Sequence, residues 1–96
     1  MIITSKQKQF LRGLAHSLEP YIIIGKHGLS KSAIQFIDKS LSDHELIKIK
    51  IKIGDKKELA PIIESKTSSS VVGMIGKIII LYRQSEDREN SKIKLP

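Results

Sequence analysis

Residues 46–53 read Leu-Ile-Lys-Ile-Lys-Ile-Lys-Ile. A strict alternation of apolar and charged side chains has the two-residue period of a β-strand, whose successive side chains point to opposite faces. Ile47, Ile49, Ile51 and Ile53 therefore share one face, and Lys48, Lys50 and Lys52 share the other. The isoleucine face belongs in a core and the lysine face in water. Lysine also guards a sheet against unwanted edge pairing, so the three lysines read mainly as a solvated face with an auxiliary electrostatic role. The rest of the chain has to supply a sheet for this strand and helices to cover it.

A second apolar run, Tyr21–Ile24, is continuous, as in a strand covered on both faces or central in a sheet. Between the two strands lies a helical pattern capped by Ser30 and running to about Ser42. Ala33, Ile34, Ile37 and Leu41 form its buried stripe, with Phe36 at the flank and counted with the core. Strand, helix and strand within so short a span make a βαβ unit, with parallel strands and a right-handed crossover.

Upstream, residues 5–18 read as a helix. Thr4 and Gln7 have capping-box spacing, and Phe10, Leu11, Leu14 and Leu18 form an apolar stripe. Lys8, Arg12 and His16 sit on another face. Gly13 costs about 1 kcal/mol in a helix interior, which suggests a close contact with another element. Glu19-Pro20 ends the helix, because the residue before proline disfavours α geometry. Downstream, a third helix opens at Asp55-Lys56-Lys57-Glu58 and runs to about Thr67. Pro61 either kinks it or marks where its regular part begins. Ser68-Ser69-Ser70 is a loop. Residues 71–75 and 78–83 are strands joined at Gly76-Lys77, a tight hairpin signal. The order αβαβαββ predicts an α/β fold, a two-layer sandwich with a small mixed four-stranded sheet and helices mainly on one face. Residues 1–83 make one domain, and the polar stretch 84–96 reads as a loosely ordered tail.

Gly25-Lys26-His27-Gly28 joins the second apolar run to the Ser30-capped helix. Two glycines let backbone turn tightly and approach a ligand where a Cβ would obstruct it. Lys26 and His27 between them can carry positive charge. The helix behind offers unpaired N–H groups and the positive end of its dipole. Together these make a site for a phosphate, best matched by the backbone of a nucleic acid. The simpler reading is a turn whose glycines serve only chain geometry.

Charge favours the first reading. The formal net charge is +7, and all of the excess falls within residues 1–83, because three basic and three acidic residues cancel in 84–96. A folded basic domain attracts polyanions, of which nucleic acid is the commonest. Lys6, Lys8, Arg12, Lys26, Lys31 and Lys77 are the candidate phosphate contacts, with Gly25, His27 and Gly28 completing the loop. With no cysteine, disulfides, thiolate catalysis and thiolate metal sites are excluded. No metal site and no cofactor are expected. No apolar run approaches membrane-spanning length and no secretory signal pattern is present, so the expectation is a cytoplasmic protein that meets no membrane and is monomeric when free.

An enzyme is the competing class. His16, His27 and His44 are the candidates, the last flanked by Asp43 and Glu45. Neighbours in sequence rarely converge on one substrate, and the loop lacks the full G-x-x-x-x-G-K-[ST] phosphate cradle. No enzyme activity is therefore expected. A nucleotide or sugar-phosphate site at Gly25–Ser30 is the alternative. The chain has two phenylalanines and two tyrosines, and Phe10 and Phe36 are assigned to the core, which leaves little for base stacking. Phosphate, 2′-OH and RNA shape should then outweigh base identity.

Four stretches together carry a family likeness. They are Ser5-Lys6-Gln7-Lys8-Gln9-Phe10-Leu11-Arg12-Gly13-Leu14-Ala15-His16; Ile24-Gly25-Lys26-His27-Gly28-Leu29; His44-Glu45-Leu46-Ile47-Lys48-Ile49-Lys50; and Ile75-Gly76-Lys77 through Leu81-Tyr82-Arg83. In that order and spacing the chain resembles the bacterial YhbY family, a free-standing CRM domain (chloroplast RNA splicing and ribosome maturation). The resemblance implies an RNA-binding module of αβαβαββ fold, associated with maturation of the large ribosomal subunit and contacting ribosomal RNA through its G-x-x-G loop. Ribosomal proteins are further partners it suggests. Pro61 and Ser68–Ser70 depart from the family pattern, which bears on local geometry in the third helix.

Overall fold

A computed structural model describes residues 3–20, 22–85, 91 and 93–96. Seven elements follow in the expected order: α1 (Ser5–Ala15), β1 (Ile22–Ile24), α2 (Lys31–His44), β2 (Leu46–Ile51), α3 (Lys56–Thr67), β3 (Ser70–Ile75) and β4 (Ile78–Tyr82). They build one four-stranded sheet in the order β1-β2-β4-β3. β1 and β2 are parallel, as a βαβ unit requires, and β4 runs antiparallel to both β2 and β3. The sheet is mixed, and the fold is α/β.

Local chemistry sets the ends of the helices. Thr4 accepts from the Gln7 amide at 3.1 Å while the Gln7 side chain accepts from the Thr4 amide at 3.0 Å, a complete capping box. Ser30 caps α2 through the Ala33 amide, and Asp55 caps α3 through the Lys57 amide. Glu45 at φ 63 and Ser68 at φ 51 end α2 and α3 with positive φ, Ser68 in left-handed backbone. Pro61 lies inside α3, which runs unbroken from Lys56 to Thr67. It is exposed, so its ring faces water, and the helix loses one internal hydrogen bond there.

Two cores result, one on each face of the sheet. α2 and α3 cover the larger, where Ile47, Ile49 and Ile51 of β2 meet Ile37 and Leu41 of α2 and Ile63 of α3. α1 crosses the other face, with Leu11 and Ala15 packed on Leu46, Val72, Ile80 and Tyr82. Two helices thus share one face, and the third closes part of the opposite one. Arg83 locks the first core from outside. Its guanidinium donates to the Asp38 carboxylate at 2.5 Å, the Asp38 carbonyl at 2.8 Å and the Thr67 carbonyl at 2.7 Å, joining α2 to the end of α3.

Four expectations are corrected. Phe10 and Leu14 are exposed, whereas Leu11 and Ala15 of the same helix are fully buried. The buried stripe of α1 is therefore centred away from Phe10, because small Ala15 lets the helix lie close to the sheet. Phe36 is 54% exposed and belongs to the surface of α2. Ile53 is exposed because β2 stops at Ile51. Gly13 touches no other element: a Cβ built there meets nothing within 4 Å.

The second core also draws in the far end of the chain. Ile93 and Leu95 pack against it, and the Gln7 side chain donates to the Pro96 carbonyl at 3.2 Å. The buried Glu45 carboxylate accepts from the Ser85 amide at 2.7 Å, the Ile93 amide at 3.2 Å and the Ser91 hydroxyl at 3.1 Å. Residues 86–90 and 92 of the expected tail lie outside the described residues. Beside this carboxylate, burial and the Glu45 charge push the Tyr82 phenol above its ordinary value of 10.0.

Glycines separate position by position. Gly73 lies beneath Arg12, where an added Cβ would sit 2.6 Å from the arginine Cδ. Replacing Gly13 by alanine should stabilise the protein by about 0.5–1 kcal/mol, read as a rise of a few degrees in thermal unfolding. Gly73→Ala should instead lower it, because Arg12 has to leave its place.

Candidate nucleic-acid interface

Gly25-Lys26-His27-Gly28 closes as a β-turn, the Gly28 amide donating to the Gly25 carbonyl at 3.0 Å. Lys26 and His27 occupy the two central positions and are exposed. Gly28 has φ +62, a left-handed conformation that side chains resist. Gly25 has neither a positive φ nor any atom within 4 Å of the place a Cβ would take. Turn geometry thus accounts for Gly28 and leaves Gly25 without a structural reason. Lys31 stands at the first position of α2, just behind the turn, and is exposed.

Sheet connectivity brings two further loops to the same end. Because β1 and β2 are parallel, their carboxyl ends lie side by side, and the Lys52 amide donates to the Ile24 carbonyl at 2.8 Å. β4 starts at that end, so the Gly76-Lys77 turn joins them. The Ile51 amide donates to the Lys77 carbonyl at 2.7 Å, and Lys56 Nζ donates to the Gly76 carbonyl. Ile51, Lys52, Gly54, Asp55, Lys56, Gly76 and Lys77 line a depression of about 340 Å³. Among the described residues Asp55 is the only carboxylate lining it, and that side chain is occupied in capping α3 through the Lys57 amide at 2.9 Å. Lysines at this end can attract phosphates through their charge.

The nine expected site residues divide between two places. Gly25, Lys26, His27, Gly28, Lys31 and Lys77 gather at this end of the sheet. Lys6, Lys8 and Arg12 lie on α1, across the sheet from α2 and α3. Arg12 there has an internal partner, its guanidinium donating to the Val72 carbonyl at 2.8 Å beside the irregularity between Val71 and Gly73. Lys52 and Lys56 were not among the expected contacts. The signal was available, since a strand followed by Gly54 and the cap Asp55 repeats the arrangement of Gly28 and the cap Ser30.

The lysine face of β2 also departs from expectation. Lys48 is half-buried, and its Nζ donates to the Leu18 carbonyl at 3.0 Å and the His16 carbonyl at 3.4 Å. A cation there satisfies carbonyls just beyond α1 and complements the negative end of the helix. Lys48 is a clasp between α1 and the sheet and not a free solvated charge. Among the described residues no group of three or more His, Asp or Glu side chains could hold a metal ion, and no helix is long and apolar enough to cross a membrane.

Known proteins share this sequence and fold. Residues 3–83 match the model of the CRS1/YhbY (CRM) domain. A Haemophilus influenzae protein named RNA-binding protein is 41% identical over 97 residues, covering 98% of this chain and 95% of its own length. A Bacillus subtilis protein named probable RNA-binding protein YqeI is 38% identical and is covered over its full length, with 99% of this chain aligned. The solution structure of the hypothetical protein SAV1595 from Staphylococcus aureus superposes with a TM-score of 0.83 at 42% identity, over 99% of this chain and all of that one.

The two glycines of the turn make separable predictions. Gly28→Ala should cost about 1 kcal/mol through its left-handed backbone, whereas Gly25→Ala should stay within about 0.5 kcal/mol of the parent. Chemical denaturation of both variants checks the difference.

Proposed function

We propose that this chain, which belongs to the CRS1/YhbY (CRM) domain family, is a non-enzymatic RNA-binding protein whose G-x-x-G turn grips the phosphate backbone. The observation that carries the reading is Gly25. It occupies a position where any small residue would fold, beside an exposed Lys26 and His27 and ahead of the α2 N-terminus. A bare backbone there lets a phosphate come within hydrogen-bond reach of amide groups. Lys31 from α2, Lys77 from the hairpin and Lys52 beyond β2 extend the positive field on the same end. Relatives named as RNA-binding proteins support the ligand class.

The preferred RNA is that of the large ribosomal subunit during its maturation, with ribosomal proteins as neighbouring partners and the cytoplasm as the place of action. Support for this finer reading comes from the family likeness and from the small, compact basic surface, which suits a folded RNA more than a long unstructured one. Crosslinking in cells followed by sequencing of the attached RNA should enrich precursor ribosomal RNA. Recovery of messenger RNA alone would redirect the assignment.

Backbone recognition has a salt signature. The logarithm of affinity should fall linearly with the logarithm of salt concentration, and replacing Lys26 and Lys31 together by glutamine should flatten the slope by roughly 1.4–1.8, two phosphate contacts' worth. Gly25→Val should fold normally and bind RNA more weakly. Unchanged binding and slope in all of these variants would reduce the loop to a structural turn.

A further inference from the structure

α1 leaves part of its own sheet face open. Along β2 that face carries Leu46, Lys48 and Lys50, because Ile47, Ile49 and Ile51 point to α2 and α3. Strand register then fixes what lies beside Lys50. Its neighbour on β1 is Ile23 and its neighbour on β4 is Ile78, which in turn faces Ile75 on β3. Directly opposed residues share a face, so Ile23, Lys50, Ile78 and Ile75 form one row across all four strands. The row is about 14 Å long, three strand spacings. Ile23 is 56% exposed and Ile75 64% exposed, while Lys50 and Ile78 are half-buried. Such exposure is costly for isoleucine and unneeded for the fold, since both core clusters close without Ile23 and Ile75.

We propose that this row is a platform for the bases of two or three unpaired nucleotides, held while the G-x-x-G turn grips their backbone. The inference rests on the phosphate reading of the turn and adds a ligand class to it: the short unpaired stretch of a loop or bulge within a folded RNA. Three observations select that occupant. First, the row is continuous with the turn, since Ile23 lies in β1 two residues before Gly25, where the turn begins. Second, cations border it at every approach to the loop end, with Lys50 inside the row, Lys52 next on β2 and Lys77 in the hairpin after Ile75. Third, the row is one side chain deep, narrower than an interface that buries the roughly 1,200 Å² of a stable protein complex. A four-stranded sheet is wide enough for two or three bases laid across its strands. Here isoleucine methyls take the place of aromatic rings, giving apolar contact to base faces without reading their edges, so sequence preference should be weak.

The test is an isotope-edited titration of isoleucine methyl groups with two RNAs of equal length, an eight-nucleotide oligouridine and a blunt duplex. With oligouridine the methyls of Ile23, Ile75 and Ile78 should shift while those of buried Ile47, Ile49 and Ile79 hold still. With the duplex the row should stay unmoved. The double variant Ile23→Thr and Ile75→Thr keeps β-branched side chains on the strands and should unfold near the parent temperature. It should bind oligouridine roughly five- to tenfold more weakly, the low end of one lost base contact, with its salt slope unchanged. Loss of the slope instead would mean that phosphate contacts had been disturbed and would overturn the inference. Movement of the Lys26–Gly28 amides without any row methyl would overturn it while leaving the turn's role intact. If neither moves, both readings fall. Concentration-dependent self-association of the free protein that the double variant abolishes would assign the row to a second copy of the chain, and equal row shifts from the duplex would remove the single-strand selectivity.

Discussion

Everything in this fold is built on β2. It is an inner strand, bonded to β1 on one side and β4 on the other, and its two faces serve different purposes. Ile47, Ile49 and Ile51 are almost completely removed from water beneath α2 and α3, and burying such side chains is worth about 1.5–3 kcal/mol each. On the reverse, Leu46 joins the core under α1 while Lys48 reaches the carbonyls at the end of that helix. A one-residue slip of register would turn every isoleucine into solvent and every lysine into a core. The alternation therefore specifies both layers at once, and with them the pairing that places each loop.

The candidate interface follows from that pairing. Parallel β1 and β2 end together, and an antiparallel β4 begins where they end. Three connections with separate jobs in the chain thus meet at one edge: the turn after β1, the approach to α3 after β2, and the β3–β4 hairpin. Each contributes lysine. Each also contains a glycine in left-handed backbone, Gly28, Gly54 and Gly76, which keeps the connections short. Short connections hold their charged side chains in a small area, and closely spaced positive charge is what a phosphate chain responds to. The far face of the same edge exposes the isoleucine row, so backbone contact and base contact would be made by neighbouring residues of one sheet.

Sequence made the local features legible. The alternation of β2, the caps Thr4 and Ser30, the opening of the third helix at Asp55-Lys56, the hairpin at Gly76-Lys77 and the turn at Gly25–Gly28 all depend on residues close together in the chain, and all lie where expected. Features that depend on which surfaces meet were harder to read. Helical periodicity gives the apolar side of α1 but not its centre, so Phe10 was assigned to the core when Leu11 and Ala15 hold that place. Phe36 shows the same limit on α2. Lys48 looked like its neighbours Lys50 and Lys52, and only the position of α1 separates it from them. The row of Ile23, Lys50, Ile78 and Ile75 is invisible to any reading of one segment, because register across four strands creates it.

The account's central claim is that RNA meets the loop end of the sheet. Ultraviolet crosslinking of the complex, followed by proteolysis and mass mapping of the nucleotide-bearing peptides, tests it directly. Attachment should fall on the segment carrying Gly25–Lys31, with further adducts near Lys52 and Lys77. Adducts confined to exposed Phe36 on α2 or to α3, with the turn unmodified, would place the RNA on the outer helical layer and contradict the account.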